Sequence, residues 1–71
     1  MNAEALRRML TRRPFEPFEL HMTHGEVVPI YHPEMAWLIG GRIYVHQPVS
    51  DSEIICSLLH IATITPIRVS A

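Results

Sequence analysis

The chain opens on a helical pattern. At about 100° per residue Leu6, Met9 and Leu10 share one stripe, while Glu4, Arg7, Arg8 and Arg12 occupy the opposite side. Asn2 precedes the stripe as an N-cap, Glu4 sits where the helix dipole favours an acid, and Arg12 and Arg13 sit where it favours bases. Pro14 closes the pattern, which predicts an amphipathic helix over residues 2–13. A helix this short does not persist alone in water, so its apolar stripe has to lie on a core.

Residues 14–17 form a stiff linker, because Pro14 and Pro17 fix their own φ and bias the residue before each toward extended backbone. Phe15 and Phe18 are thereby held as anchors. From Phe18 the period changes to two: Phe18, Leu20 and Met22 face one way, Glu19, His21 and Thr23 the other. His24-Gly25 predicts a turn, followed by a second strand over residues 26–31 that breaks at His32-Pro33-Glu34 and resumes over 35–39. Proline cannot donate to a ladder, so Pro33 implies a bulge or sharp bend and Pro29 an edge or unpaired position. Gly40-Gly41 predicts a two-residue hairpin turn into a third strand over 42–46. Residues 47–52 read as a loop, 53–56 as a fourth strand, Ser57-Leu58-Leu59-His60 as one tight turn, and 63–69 as the last strand. The expected fold is mainly β with one N-terminal α-helix. A single domain spans residues 1–71, and residues 18–69 form a five-stranded, strongly bent antiparallel β-barrel.

Composition changes the picture in one respect. A chain of 71 residues buries only about 60% of its unfolded surface, so stability is expected to need support. A lone Cys56 excludes a disulfide within the chain, which leaves a metal or oligomerisation. Apolar residues make up 48% and charged residues only 18%, below the roughly 25% usual in soluble domains. Such a surface is short of charge, and contiguous apolar patches mark interaction sites. The chain is therefore expected to be a homo-oligomer or to dock on a larger protein, with a strand edge as the seam.

Charge and hydropathy exclude other classes. A formal net charge of -1, with six arginines and no lysine against seven acids, does not match the basic domain of a nucleic-acid binder. No apolar stretch of about 18 residues predicts a membrane span, and the N-terminus lacks the apolar centre of a secretory signal. The expectation is a cytoplasmic protein without membrane contact.

The residues Arg13-Pro14-Phe15-Glu16-Pro17-Phe18, Gly25, His32-Pro33-Glu34, Gly41-Arg42 and Glu53-Ile54-Ile55-Cys56-Ser57-Leu58-Leu59 occur together in this order. Over residues 7 to 67 the chain resembles a group of small planctomycete-type bacterial proteins. These read Arg-Pro-Phe-x-Pro-Phe, Asp-Gly, His-Pro-Glu and Ile-Ile-Asp-Leu-Leu. Here His24 stands where Asp precedes the glycine and Ser57 where the second Asp falls, so two charges are missing. The resemblance transfers no catalytic residue. The order of a helix and five short strands, with a bent second strand and a helical turn before the last, also resembles an Sm-like small barrel. Sm rings carry a polar Asp/Asn loop motif and an Arg-Gly step before the last turn, and the matching segment here is Cys56-Ser57-Leu58-Leu59. What that resemblance implies is shape and edge-to-edge assembly, without the RNA-contacting positions.

Candidate chemistry is sparse. Five histidines are unusual for this length, but His21 and His24 straddle a strand and a turn, His32 and Glu34 flank a proline, and His46 lies on another strand. Zinc needs three or four converging ligands; Cys56 with two of these histidines could supply them, but no pair has the short fixed spacing of a metal motif, and scattered surface histidines are the plainer reading. Cys56 reads as a small buried hydrophobe, and no base and acid are placed beside it, Ser50, Ser52 or Ser57 for nucleophilic catalysis. Asp51 and Glu53 lie at a strand start with no second acid pair facing them. No catalytic residue, metal site or cofactor is expected, and the chain is read as a non-enzymatic interaction module. Met35, Trp37 and Ile39, alternating on one strand, and Tyr44 and His46 on the next, are the candidate interface; large aromatics of this kind dominate cores and interfaces alike. The alternative is a nucleic-acid-binding small barrel in which Arg7, Arg8 and Arg12 contact phosphate and exposed aromatics stack on bases. The plainer reading of those arginines is a solvated helix face with a Glu4–Arg8 pair.

Overall fold

The computed structural model describes residues 1–67. Helix α1 runs Ala3–Thr11, and the Asn2 side chain accepts a hydrogen bond from the backbone N–H of Glu4 at 2.7 Å, as an N-cap should. The helix is shorter at both ends than its pattern. Arg12 has left helical geometry at ψ 139, so Arg12 and Arg13 do not occupy the last turn. The proline two residues on has no N–H to continue the ladder and pushes Arg13 toward extended backbone. Leu6 is fully buried, with Met9 and Leu10 half-buried against the same core. The N-terminal ammonium of Met1 donates to the Leu58 carbonyl at 3.1 Å, tying the start of the chain to a distant turn.

Among the described residues six strands follow, in two antiparallel three-stranded sheets. In the first, β1 (Phe18–Met22) lies between β2 (Val27–Ile30) and β6 (Ile61–Pro66). In the second, β4 (Arg42–Gln47) lies between β3 (Ala36–Ile39) and β5 (Ser52–Ser57). Two expectations change here. The bent second strand is two strands in different sheets, because Pro33–Met35 closes into a 3-10 turn, with the Met35 N–H bonded to the His32 carbonyl at 3.1 Å. The ladders also do not join into a closed barrel among the described residues. The tight turn is a 3-10 turn at Leu58–His60, as the pattern predicts. The last strand starts two residues earlier than expected, and its predicted end at Val69 lies outside the described residues.

The turns follow their chemistry. Gly25 closes the β1–β2 hairpin at φ 104 and Gly40 opens the β3–β4 hairpin at φ 60, both in the region that L side chains avoid. Pro29 sits on β2, an edge strand opposite Glu19, where its missing N–H disturbs no inner ladder. Strand β6 gains an extra residue against β1 between His21 and Met22, a bulge that twists this edge.

Alternation delivers one core from both sheets. Phe18, Leu20, Val28 and Ile30 point inward from the first sheet, Ile43 and Val45 from the second, all at 0% exposure. Phe15 is only half-buried and stacks on Phe18 at a tilt, ring centroids 6.0 Å apart. The two anchors are therefore unequal. Phe18→Ala is expected to cost about 3–5 kcal/mol, a large share of a total of about 5–15, and Phe15→Ala about 1–2. Urea unfolding of both variants checks this; equal losses, or an unmoved midpoint for Phe18→Ala, would contradict the anchor assignment.

Candidate interaction face

An antiparallel sheet that packs one face on a core leaves the other to water. The outer face of the first sheet is mostly polar: Glu19 and His21 on β1, which meet at 3.3 Å, lie opposite Thr65 and Thr63 of β6 and, on the other side, opposite Pro29 and the exposed Val27 of β2. The outer face of the second sheet is different. Trp37 on β3, Tyr44 on β4 and Ile55 on β5 are direct cross-strand neighbours and form one row. Trp37 is 56% exposed and Ile55 58% exposed, and Tyr44 is half-buried between them. The next row is Ile39, Arg42 and Ser57, in which Ile39 is 64% exposed. On the other side His46 pairs with Glu53, and His46 Nε2 lies 3.9 Å from Asp51.

Four of the five candidate interface residues thus share this face: Trp37, Ile39, Tyr44 and His46. Met35 does not. It is 8% exposed in the 3-10 turn, and that turn breaks the two-residue alternation before β3 begins at Ala36. Sequence reasoning missed Ile55, Arg42 and Glu53. The signal for Arg42 was its alternation with Tyr44 and His46 on one strand; that for Ile55 and Glu53 was the alternation of Glu53, Ile55 and Ser57 against Ile54 and Cys56, which joins this face only once the β4–β5 register is known.

Arg7 and Arg8 of α1 and Arg12 just beyond it are exposed, but two of the three hold carboxylates: Arg7 reaches Glu4 at 3.4 Å and Arg12 reaches Glu16 at 3.2 Å. The expected Glu4–Arg8 pair is replaced by Glu4–Arg7, one residue closer on the same side. The histidines are dispersed. His24 meets its neighbour Glu26 at 3.2 Å, and among the described residues no three His, Cys, Asp or Glu side chains gather at one point. No pocket opens among the described residues, and no helix among them is long and apolar enough to cross a membrane.

Cys56 is 4% exposed on the inner face of β5. Burial, and after it the negative charge of Glu26, pushes its thiol above the ordinary range. Comparison with protein-family models, with curated proteins and with solved structures finds no match for the chain.

Two outcomes follow from this geometry. A thiol-specific reagent is expected to label Cys56 slowly at neutral pH and at full rate only in denaturant. Because the folded thiol holds its proton at a pH where the unfolded one releases it, stability is fully present below the free-thiol pKa and falls as pH rises through the folded value. Urea titrations in mildly alkaline buffers, with Cys56→Ala showing a shallower decline, check the sign. Replacing Arg7, Arg8 and Arg12 together with Gln is expected to shift stability by no more than about 0.5 kcal/mol per site, since exposed pairs contribute little. A loss of the cooperative fold in that variant would show that the helix face carries structure.

Proposed function

We propose that this chain is a small non-enzymatic association module, Sm-like in shape, that binds protein through the outer face of β3, β4 and β5. The observation that carries the reading is the contrast between the two outer faces. The first sheet presents Glu19, His21, Thr63 and Thr65, with Val27 and Pro29 confined to its β2 edge, while the second presents Trp37, Tyr44 and Ile55 as an unbroken row across all three strands, with Ile39 in the next row. Single exposed hydrophobes are ordinary, but a contiguous aromatic and aliphatic row marks a docking surface. Trp and Tyr, with Arg42 beside them, are also the residue types that dominate binding energy at interfaces.

The Sm-like shape is supported by the strand order. β2 and β3 are linked by a single 3-10 turn and β5 and β6 by another, so the path β6-β1-β2, then β3-β4-β5, is that of a bent sheet folded on itself. Three of the four sheet edges are poor seams by comparison: β2 carries Pro29, β6 ends on Pro66 and is bulged, and β3 has four residues, whereas β5 is a six-residue edge without proline. The face is preferred because it gathers Trp37, Tyr44 and Ile55 in one row, of which the β5 edge carries only Ile55. Protein is preferred to nucleic acid because Arg7 and Arg12 are already paired and the net charge is -1.

The expected result is a species heavier than 8.1 kDa by light scattering at tens of micromolar, or about that concentration, which Trp37→Ser reduces to a folded monomer. Tryptophan emission of the parent should shift to longer wavelength on dilution as Trp37 returns to water. A mass unaffected by Trp37→Ser would move the association to another surface. Sub-micromolar binding of single-stranded RNA or DNA that falls steeply with salt, and is lost when Arg7, Arg8 and Arg12 become Gln, would replace this reading with the nucleic-acid one.

A further inference from the structure

We infer that the partner is a second copy of this chain, docked face to face about a two-fold axis that sets Arg42 of each copy against Glu53 of the other, an inference that rests on the association reading of this face. The face is charged at its two ends and apolar between them. Arg42 lies on β4 one row beyond Tyr44, beside Ile39 and Ser57; Glu53 lies on β5 one row beyond Ile55 on the opposite side, beside His46. Both are exposed, and among the described residues neither has an ion-pair partner; Arg8, Arg13 and Glu34 are likewise without one, but none of these three lies on a strand, so Arg42 and Glu53 are the unpaired charges of this face. The rows of Arg42 and Glu53 stand four residues apart along the strands, about 13 Å, so the two cannot meet within one copy.

A partner laid on this face must match a cation at one end, a carboxylate at the other and an aromatic row in the middle. A second copy does so by construction, because in a two-fold contact residue i meets j wherever j meets i. Two antiparallel faces can be related only by an axis lying in the plane of contact. With strands about 4.8 Å apart and same-face residues about 6.8 Å apart, an axis over Tyr44 that exchanges Arg42 and Glu53 runs within about 20° of perpendicular to β4. The strands of the two copies then cross at roughly 35°, close to the aligned packing of about 30° that twisted sheets adopt face to face. In that arrangement Tyr44 meets its own copy, Trp37 and Ile55 each fall beside theirs, and Ile39 covers His46. The same axis produces two Arg42–Glu53 contacts at the rim of a water-excluding aromatic centre, the distribution seen in protein interfaces.

The test is a charge-reversal cycle read by sedimentation and light scattering at low salt, with circular dichroism to verify folding of every variant. The parent is expected to dimerise in the micromolar range, near twice 8.1 kDa at about 100 µM. Arg42→Glu and Glu53→Arg, each placing like charges against one another twice, should each weaken the dimer about ten-fold or more. The double variant Arg42→Glu with Glu53→Arg should restore it, and mixing the two single variants should give a heterodimer. Association that Trp37→Ser abolishes while both charge reversals leave it unchanged would overturn this geometry and keep the association reading. Association indifferent to Trp37→Ser as well would overturn both, and a mass of 8.1 kDa at every concentration would overturn the pairing of two copies and leave the face to a different protein.

Discussion

Exclusion of water from between the two sheets is the constraint on which the rest of this structure depends. Phe18, Leu20, Val28, Ile30, Ile43 and Val45 are completely buried there, and Leu6 of α1 reaches the same core. Neither sheet is stable by itself, since three short strands with one covered face need something to cover it. Each sheet is the other's cover, and the helix closes what the sheets leave open. The short 3-10 turns at Pro33–Met35 and Leu58–His60 follow from this arrangement, because they are where the chain passes from one sheet to the other. The ammonium of Met1 on the Leu58 carbonyl fixes the helix at one of these crossings.

The inner layer was legible from the residues because alternation and burial have the same period. Phe18, Leu20 and Met22 alternate with polar residues, and all three are buried; the Gly40-Gly41 turn and the short helical turn near Leu58 were equally plain. The break at Pro33 was visible, but its consequence was not. A proline shows that a ladder stops without showing whether the chain bends within one sheet or changes sheets, and the answer depends on hydrogen bonds made by distant residues. The same limit applied to the helix end, where Thr11 Oγ1 bonds back to the Arg7 carbonyl at 2.9 Å and the chain unwinds before the arginines that seemed to belong to the last turn.

The candidate face was half legible for a related reason. Trp37 and Ile39 share a face by spacing on one strand, and Tyr44 and His46 do so on the next, so local pattern found both pairs. Joining them needs the β3–β4 register, and adding Ile55 and Glu53 needs the β4–β5 register as well, whereas Arg42 shares the face by its spacing from Tyr44 on the same strand. Register in a hairpin of two glycines follows from the turn, whereas across the 48–51 loop it follows from which residues the core accepts. Met35 shows the reverse error: two-residue spacing placed it with Trp37, but a 3-10 turn rotates it into the interior.

A small two-sheet domain has two outer faces and no third layer, so the residues on those faces are chosen by solubility unless something else selects them. On the first sheet the choice is Glu, His and Thr on the inner and β6 strands, the residues that solubility alone would favour, with Val27 and Pro29 at the β2 edge. On the second sheet the same pressure should have removed Trp37, Ile39 and Ile55, because none of them contributes to the core and each exposes more than half of its surface. Cross-strand contact of Trp37 with Tyr44 adds to pairing within the sheet, yet that gain is about 0.2–1 kcal/mol and is open to Thr or Val without the exposed ring. In the association we propose, charge would supply the direction that apolar contact lacks: with Arg42 at one end of the row and Glu53 at the other, a correctly turned partner would pair opposite charges and a reversed one would set like charges together.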